Sequence, residues 1–138
     1  MITMKLVDVA MTPHKVLQAA DRVKRRNLFR IGGIVRKIAR QSIRRTKKSA
    51  RHGAPPRQHT NPGLKLIKFE VTDENNVYVF TQPFGITKGI DTPSVLEEGG
   101  YQKVRRIGKS RKRVHHPFLA PAEAKARTNY PQIWQDSF

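Results

Sequence analysis

The sequence predicts an α+β fold, with a long N-terminal amphipathic helix and a C-terminal helix packed on a small antiparallel β-sheet. Three observations predict it. Apolar side chains recur at steps of three and four from Val16 to Ile43. Alternating segments punctuated by turn residues occupy 64–116. An alanine-rich helical stretch follows Pro117. Helix, strands and helix in that order place the helices on one face of the sheet. The 138 residues read as a single domain, 1–138. It divides into a candidate extended arm (1–11), a helix (12–46), a long basic Pro/Gly loop (47–63), a β-sheet region (64–116) and a C-terminal helix and tail (117–138).

Thr12-Pro13 marks the first helix start, because Thr12 can cap and Pro13 suits the first helical position. Val16, Ala20, Val23, Asn27, Ile31, Val35, Ile38 and Ser42 recur at steps of three and four, with Leu28, Ile34, Ala39 and Ile43 widening the stripe, which reads as one long amphipathic helix or two helices joined near Gly32-Gly33. Arg22, Arg25, Arg26, Arg36, Lys37, Arg40 and Arg44 occupy the other face. Gly32-Gly33 costs the helix about 1–2 kcal/mol relative to alanine, which points to a kink or a close helix contact. The cations of 45–48 suit the negative helix end.

Three prolines and two glycines then make a loop, long for a chain of this size. Leu64, Leu66 and Phe69 or Val71 alternate with Lys65, Lys68 and Glu70, a strand with one irregular step. Asp73-Glu74-Asn75-Asn76 turns the chain into Val77-Tyr78-Val79-Phe80, completing a hairpin. After a loop over 82–91, Thr92 to Gly100 reads as a single capped helical turn closed by glycine. Tyr101–Ile107 and Lys112–His116 form a further hairpin around Gly108-Lys109-Ser110. The last helix starts near Pro117 or Pro121 and is broken or kinked by Pro131.

Charge is the strongest functional signal. The chain carries 28 Lys and Arg against 10 Asp and Glu, a formal charge of +18, so a polyanion is its natural partner. From Arg22 to Phe69 there are sixteen Lys or Arg and no acid, and a second basic cluster spans 103–113. A charge run is ordinarily a solvated face; two separated blocks of one sign exceed what solubility needs. Nucleic acid fits best. An anionic membrane fits less well, since no basic face is joined to a bulky apolar face with aromatic anchors. No run of eighteen apolar residues implies a membrane span, and the N-terminus lacks the pattern of a secretory signal. Cysteine is absent, which removes disulfides and thiolate chemistry and suits a reducing cytoplasm.

Candidate chemistry is sparse. His52 and His59 stand seven apart in a loop and His115-His116 are adjacent, without nearby carboxylates to complete a metal site. Glu97-Glu98 is a poor acid–base pair because neighbouring side chains diverge; one carboxylate capping a helix or pairing with an Arg is the plainer reading. Gly108-Lys109-Ser110 lacks the upstream glycine of a phosphate loop and reads as a tight turn. No catalytic residue, cofactor or metal site is expected, and the chain is read as not an enzyme.

Over residues 30–138 the ordered motifs resemble a family. A basic helix (Ile34 to Arg44) leads into Gly53-Ala54-Pro55-Pro56 and His59-Thr60. A strand pair and Pro93-Ser94-Val95-Leu96-Glu97-Glu98-Gly99-Gly100 follow, then His116-Pro117-Phe118-Leu119-Ala120-Pro121-Ala122 and the ending Pro131 to Ser137. These are similar to the Pro/Gly-rich segment, the "φ-E-x-G" segment and the "R-P-F-L-x-P-A" helix entry of the phage tail-component family of head–tail joining and tail-completion (neck) proteins, similar in type to lambda's minor tail protein Z. His116 stands where Arg is common, and Asn61-Pro62-Gly63 separates Thr60 from the glycine.

The resemblance implies a structural virion protein of a tailed bacteriophage. It implies a homo-oligomeric, often hexameric, ring between portal-side connector and tail-tube proteins, located in the virion neck and in the host cytoplasm during assembly. A basic surface would face the DNA channel and contact double-stranded DNA without reading sequence. The candidate DNA-facing residues are Arg44, Arg45, Lys47, Lys48, Arg51 and Arg57. Lys109, Arg111, Lys112 and Arg113 form a second cluster, facing DNA or a protein neighbour. Phe118, Leu119 and Trp134 are read as core. The alternative is a cellular RNA-binding or ribosome-associated basic protein, which the charge suits but which lacks an aromatic RNA-stacking motif.

Overall fold

The structure is a computed structural model that describes residues 12–48, 50–58, 62–73, 76–85, 91–103 and 111–137. The fold is α+β. Helix α1 (Pro13–Ser42) leads into strands β1 (Arg44–Arg45) and β2 (Arg57–Gln58). A 3₁₀ turn (Pro62–Lys65) precedes β3 (Ile67–Val71) and β4 (Val77–Thr81). Helix α2 (Thr92–Glu98), β5 (Gly100–Lys103) and β6 (Arg111–Val114) follow. The chain closes with α3 (Leu119–Ala126), a 3₁₀ turn (Arg127–Asn129) and α4 (Tyr130–Gln135). The strands form three separate pairs: β3–β4 and β5–β6 are antiparallel, and β1–β2 is a short parallel clip.

Helix α1 is the spine. It packs against α3, against the β3–β4 hairpin and against α4. Val35, Ala39 and Ile43 from α1 and its end meet Leu64, Ile67, Leu96, Val114, Phe118, Ala122 and Ala126 in one core. Phe118 is 0% exposed, burial worth roughly 2–3 kcal/mol. Leu119 packs on the core, whereas Trp134 is only half-buried. Asn27 is also fully buried, and its Oδ1 accepts from Ser137 Oγ at 2.8 Å, which ties the chain's end to the middle of α1.

Helix α1 is shorter than the 12–46 span the periodicity predicts. Its phase would leave Ile43 on the helix; instead Ile43 turns extended (φ −84°, ψ 101°) and is buried at 1% exposure. The Ser42 hydroxyl donates to the Ala39 carbonyl at 2.7 Å, a local bond that competes with helix continuation. At the other end Thr12 holds the cap position through its backbone carbonyl, which accepts from Lys15 and Val16, and its side chain makes no cap bond. The apolar stripe is also only partly used: Pro13 to Arg22 are exposed throughout, with Val16 at 47% and Leu17 at 65%.

The described part of the long loop is tied back to the end of α1. Arg44 and Arg45 pair in parallel with Arg57 and Gln58, and the Thr46 N–H donates to the Gln58 carbonyl. The irregular step before β3 is the 3₁₀ turn itself. Its tighter pitch shifts the side-chain phase, so Leu64 and Ile67 are buried while Leu66 faces outward. Along the hairpin Ile67, Phe69 and Val71 then face inward, opposite Thr81, Val79 and Val77, and Lys68, Glu70, Tyr78 and Phe80 face out. The second hairpin pairs Gly100–Lys103 with Arg111–Val114. The expected arm 1–11 and the turn Gly108-Lys109-Ser110 lie outside the described residues.

Of the two glycines only Gly32 makes a close contact, and it is with the hairpin rather than with a second helix. The helix runs through both without interruption. A Cβ on Gly32 would sit 2.5 Å from Phe69 Cδ2, so the hairpin ring lies directly on the α1 backbone. That ring also packs edge-to-face on Phe29, with centroids 5.9 Å apart. A Cβ on Gly33 would meet nothing within 4 Å.

Glu97 joins the second half of the chain. Its carboxylate accepts from the backbone N–H groups of Phe118 (2.8 Å), Leu119 (3.0 Å) and Ala120 (2.7 Å), the first donors of α3. A helix start leaves such donors without intrahelical partners, and a negative charge suits that end. The His116 N–H donates to the Leu96 carbonyl, the Gly53 N–H to the His115 carbonyl, and His116 Nδ1 contacts the Ala54 carbonyl at 2.9 Å. The Gly53-Ala54, Leu96-Glu97 and His116-to-Ala120 segments thus meet in one hydrogen-bonded junction. Of the two adjacent carboxylates, Glu97 caps and Glu98 is exposed.

Two stability measurements check this packing. In denaturant unfolding, Gly33→Ala is expected to gain about 0.5–1 kcal/mol from helix propensity. Gly32→Ala is expected to lose about 1–2 kcal/mol net, because overpacking against Phe69 outweighs the same gain. Glu97→Ala is expected to cost about 2 kcal/mol, a helix cap lost together with three donors left bare. Glu98→Ala should stay within about 0.5 kcal/mol of the parent.

Candidate nucleic-acid interface

Three cations in the second half of α1, Arg36, Lys37 and Arg40, lie on one helical stripe. Gly33, Arg36, Lys37, Arg40 and Gln41 follow steps of three, one, three and one, so they share a face, and Arg44 follows from β1. Together with Ile43, Arg45 and Lys65 they line a surface cleft of about 660 Å3. A second cleft, of about 560 Å3, is lined by Ile38, Gln41, Ser42, Arg44, Ala54, Pro55, Arg57 and Lys125. Gln41 and Arg44 line both, so the two clefts adjoin along a ridge at the C-terminal end of α1.

The β1–β2 clip sets Arg44 opposite Arg57, and both are exposed. Like charges opposite one another on paired strands are destabilising. No described carboxylate relieves them. Among the described residues, no Asp or Glu lines either cleft, and the ion pairs formed, Arg25–Asp73 and Arg127–Glu123, lie elsewhere. The face is therefore an uncompensated array of guanidinium and ammonium groups. Guanidinium forks match the oxygens of phosphate in a bidentate manner, and lysines add point charge. Such a surface can hold a phosphodiester backbone and offers little to discriminate base edges.

The structure brings some of the expected residues together and leaves others apart. Arg44, Arg45 and Arg57 gather at the clip and line the clefts. Lys47, Lys48 and Arg51 are exposed beyond the clip and line neither cleft. Arg111, Lys112 and Arg113 stand on β6, paired through the backbone with Lys103, Gln102 and Tyr101, and Lys109 lies outside the described residues. Arg36, Lys37 and Arg40 join the site although only their helical face, not a site, was legible in the spacing. Lys65 and Lys125 arrive from distant parts of the chain, and no local pattern marks them. His52 and His115 approach to 5.8 Å between ring centroids. Among the described residues no three His, Asp or Glu side chains gather where they could hold a metal ion, and no helix is long and apolar enough to cross a membrane.

Salt dependence of duplex binding checks the face. Each neutralised phosphate contributes about −0.9 to the slope of log K against log salt. Arg44→Gln with Arg57→Gln is expected to make that slope shallower by about two phosphate contacts, equally on duplexes of unrelated sequence. Lys68→Gln, on the outward face of β3, should leave it unchanged. In comparisons with known proteins, the chain matches no family model, no curated protein and no solved structure.

Proposed function

We propose that the chain is a non-enzymatic structural subunit of a tailed-phage neck, forming a head–tail joining or tail-completion ring whose basic face is turned towards the DNA channel. The observation that carries the reading is the acid-free ridge at the end of α1, flanked by its two clefts. A channel surface must attract a polyanion without gripping particular bases, and Lys and Arg aimed at phosphates meet that requirement. The resemblance supplies the place. Its Gly-Ala-Pro-Pro, "φ-E-x-G" and "P-F-L-x-P-A" segments are far apart in sequence, yet they meet at the Glu97 and His116 hydrogen bonds. That convergence supports reading them as one structural signature.

Features of the surface support assembly with copies of itself and with virion neighbours. Every described strand belongs to a two-stranded pair, and an edge strand is a template for pairing with another chain. The first turns of α1 expose Val16 and Leu17, and the outer hairpin face exposes Leu66, Tyr78 and Phe80. Cyclic closure satisfies such surfaces without leaving a free end, and a hexameric ring is the form the resemblance implies. The same charge would suit an RNA-binding cellular protein.

Deletion of the gene from its phage is expected to give heads and tails that remain unjoined, or particles that leak DNA, and the protein should be stoichiometric in purified virions. Co-sedimentation with ribosomal subunits, together with absence from virions, would instead establish the cellular reading.

A further inference from the structure

We propose that the larger of the two clefts is a discrete phosphate-holding site, seating one phosphate group per subunit with Arg36 as its inner arm. The inference rests on the proposed function only for the source of that phosphate, a DNA backbone; the pocket's own chemistry requires no more than the group itself.

Four features single out this cleft from the rest of the basic surface. Arg36 has its Nε buried with no hydrogen-bond partner, whereas buried donors are nearly always satisfied. Arg36 also lines the cleft, so its guanidinium keeps donor capacity beside the open space. Lys37, Arg40, Arg44, Arg45 and Lys65 surround it, with no carboxylate among the lining residues described. The buried side chain of Ile43 forms part of the wall, and an apolar wall strengthens charge attraction beside it. Gly33 supplies the fourth feature. It lines the cleft, and a Cβ there would meet nothing, so the wall is open where a side chain would intrude.

A plainer explanation is that the cations serve the negative end of α1. It covers Arg40, in the last turn, and little more. The helix dipole acts within its final turn, and Arg36 and Lys37 precede that turn while Lys65 comes from another element. The carbonyl end of a helix disfavours an anion, so the side chains must supply all the attraction, which is consistent with their number.

The test uses the full chain and two variants that act differently. Gly33→Leu fills the cleft and keeps every charge; Arg36→Met keeps the aliphatic stem and removes the fork. Inorganic phosphate is titrated calorimetrically into each, with Lys68→Gln as the control and far-UV circular dichroism to confirm folding. The parent is expected to bind one phosphate per chain, and both cleft variants to weaken it about tenfold or more, with the control unchanged. Saturable binding that neither folded variant weakens, or no binding by the parent, overturns the site. If Gly33→Leu does not fold, Arg36→Met decides alone. Competition then separates the sources. A short duplex that displaces inorganic phosphate identifies the DNA backbone as occupant. A duplex that does not compete leaves the cleft as a site for free phosphate and counts against the channel reading. A duplex that binds equally to parent and both variants preserves the basic face and removes the cleft from it.

Discussion

The Glu97 carboxylate receives three backbone N–H groups at the start of α3, and the rest of the structure depends on that capture. Helix α3 is only eight residues long, too short to be stable in water by its own propensity. It is held by its buried face on α1, by Phe118 in the core and by a carboxylate that reaches it from α2. Because the Leu96 carbonyl accepts from the His116 N–H, and His115 and His116 meet the backbone of Gly53 and Ala54, the same junction fixes the far end of the loop after β1. The clip of Arg44 against Arg57 follows from that anchorage.

Few acids therefore serve many structural tasks. Glu97 caps, Glu123 pairs with Arg127, Asp91 accepts from Ser94 at 2.6 Å, and Asp136 accepts from Gln132. These carboxylates are committed away from the end of α1, where the cations accumulate. Exposed ion pairs contribute little to stability in any case, so compensating the basic face would have gained the fold almost nothing. Leaving it uncompensated keeps it available to a partner. Tyr130, which packs against the core, shows the opposite environment: burial and the neighbouring Glu123 push its hydroxyl up from 10.0, partly countered by Arg127. The stability gained from its neutral form is complete below 10.0 and is lost as pH rises from there through the raised value.

Periodicity made much of the fold legible, and its failures have local causes. The α1 stripe, the hairpin at 67–81, the turn closed by Gly99 and the helix entry after Pro117 can all be read from residue type and spacing. The end of α1 could not, because Ile43 leaves the helix to satisfy the core rather than its own propensity. The phase of β3 could not, because one 3₁₀ turn moves Leu66 outward and Ile67 inward. The role of Glu97 was half legible: its type suited a cap, but the helix it caps begins more than twenty residues later. For the site, Arg44, Arg45 and Arg57 lie close to the chain's basic peak, while Lys65 and Lys125 reach the clefts only through the tertiary fold.

What unites these features is a basic ridge that the fold builds and does not neutralise. The most direct measurement of the proposed neck role is a cryo-EM reconstruction of the virion neck in which the chain is proposed to assemble. The expected result is a closed ring of this chain with Arg36, Arg40 and Arg44 lining the lumen beside the DNA. A ring whose α1 end is buried against acidic side chains of a neighbouring protein, or a neck from which the chain is absent, would contradict it.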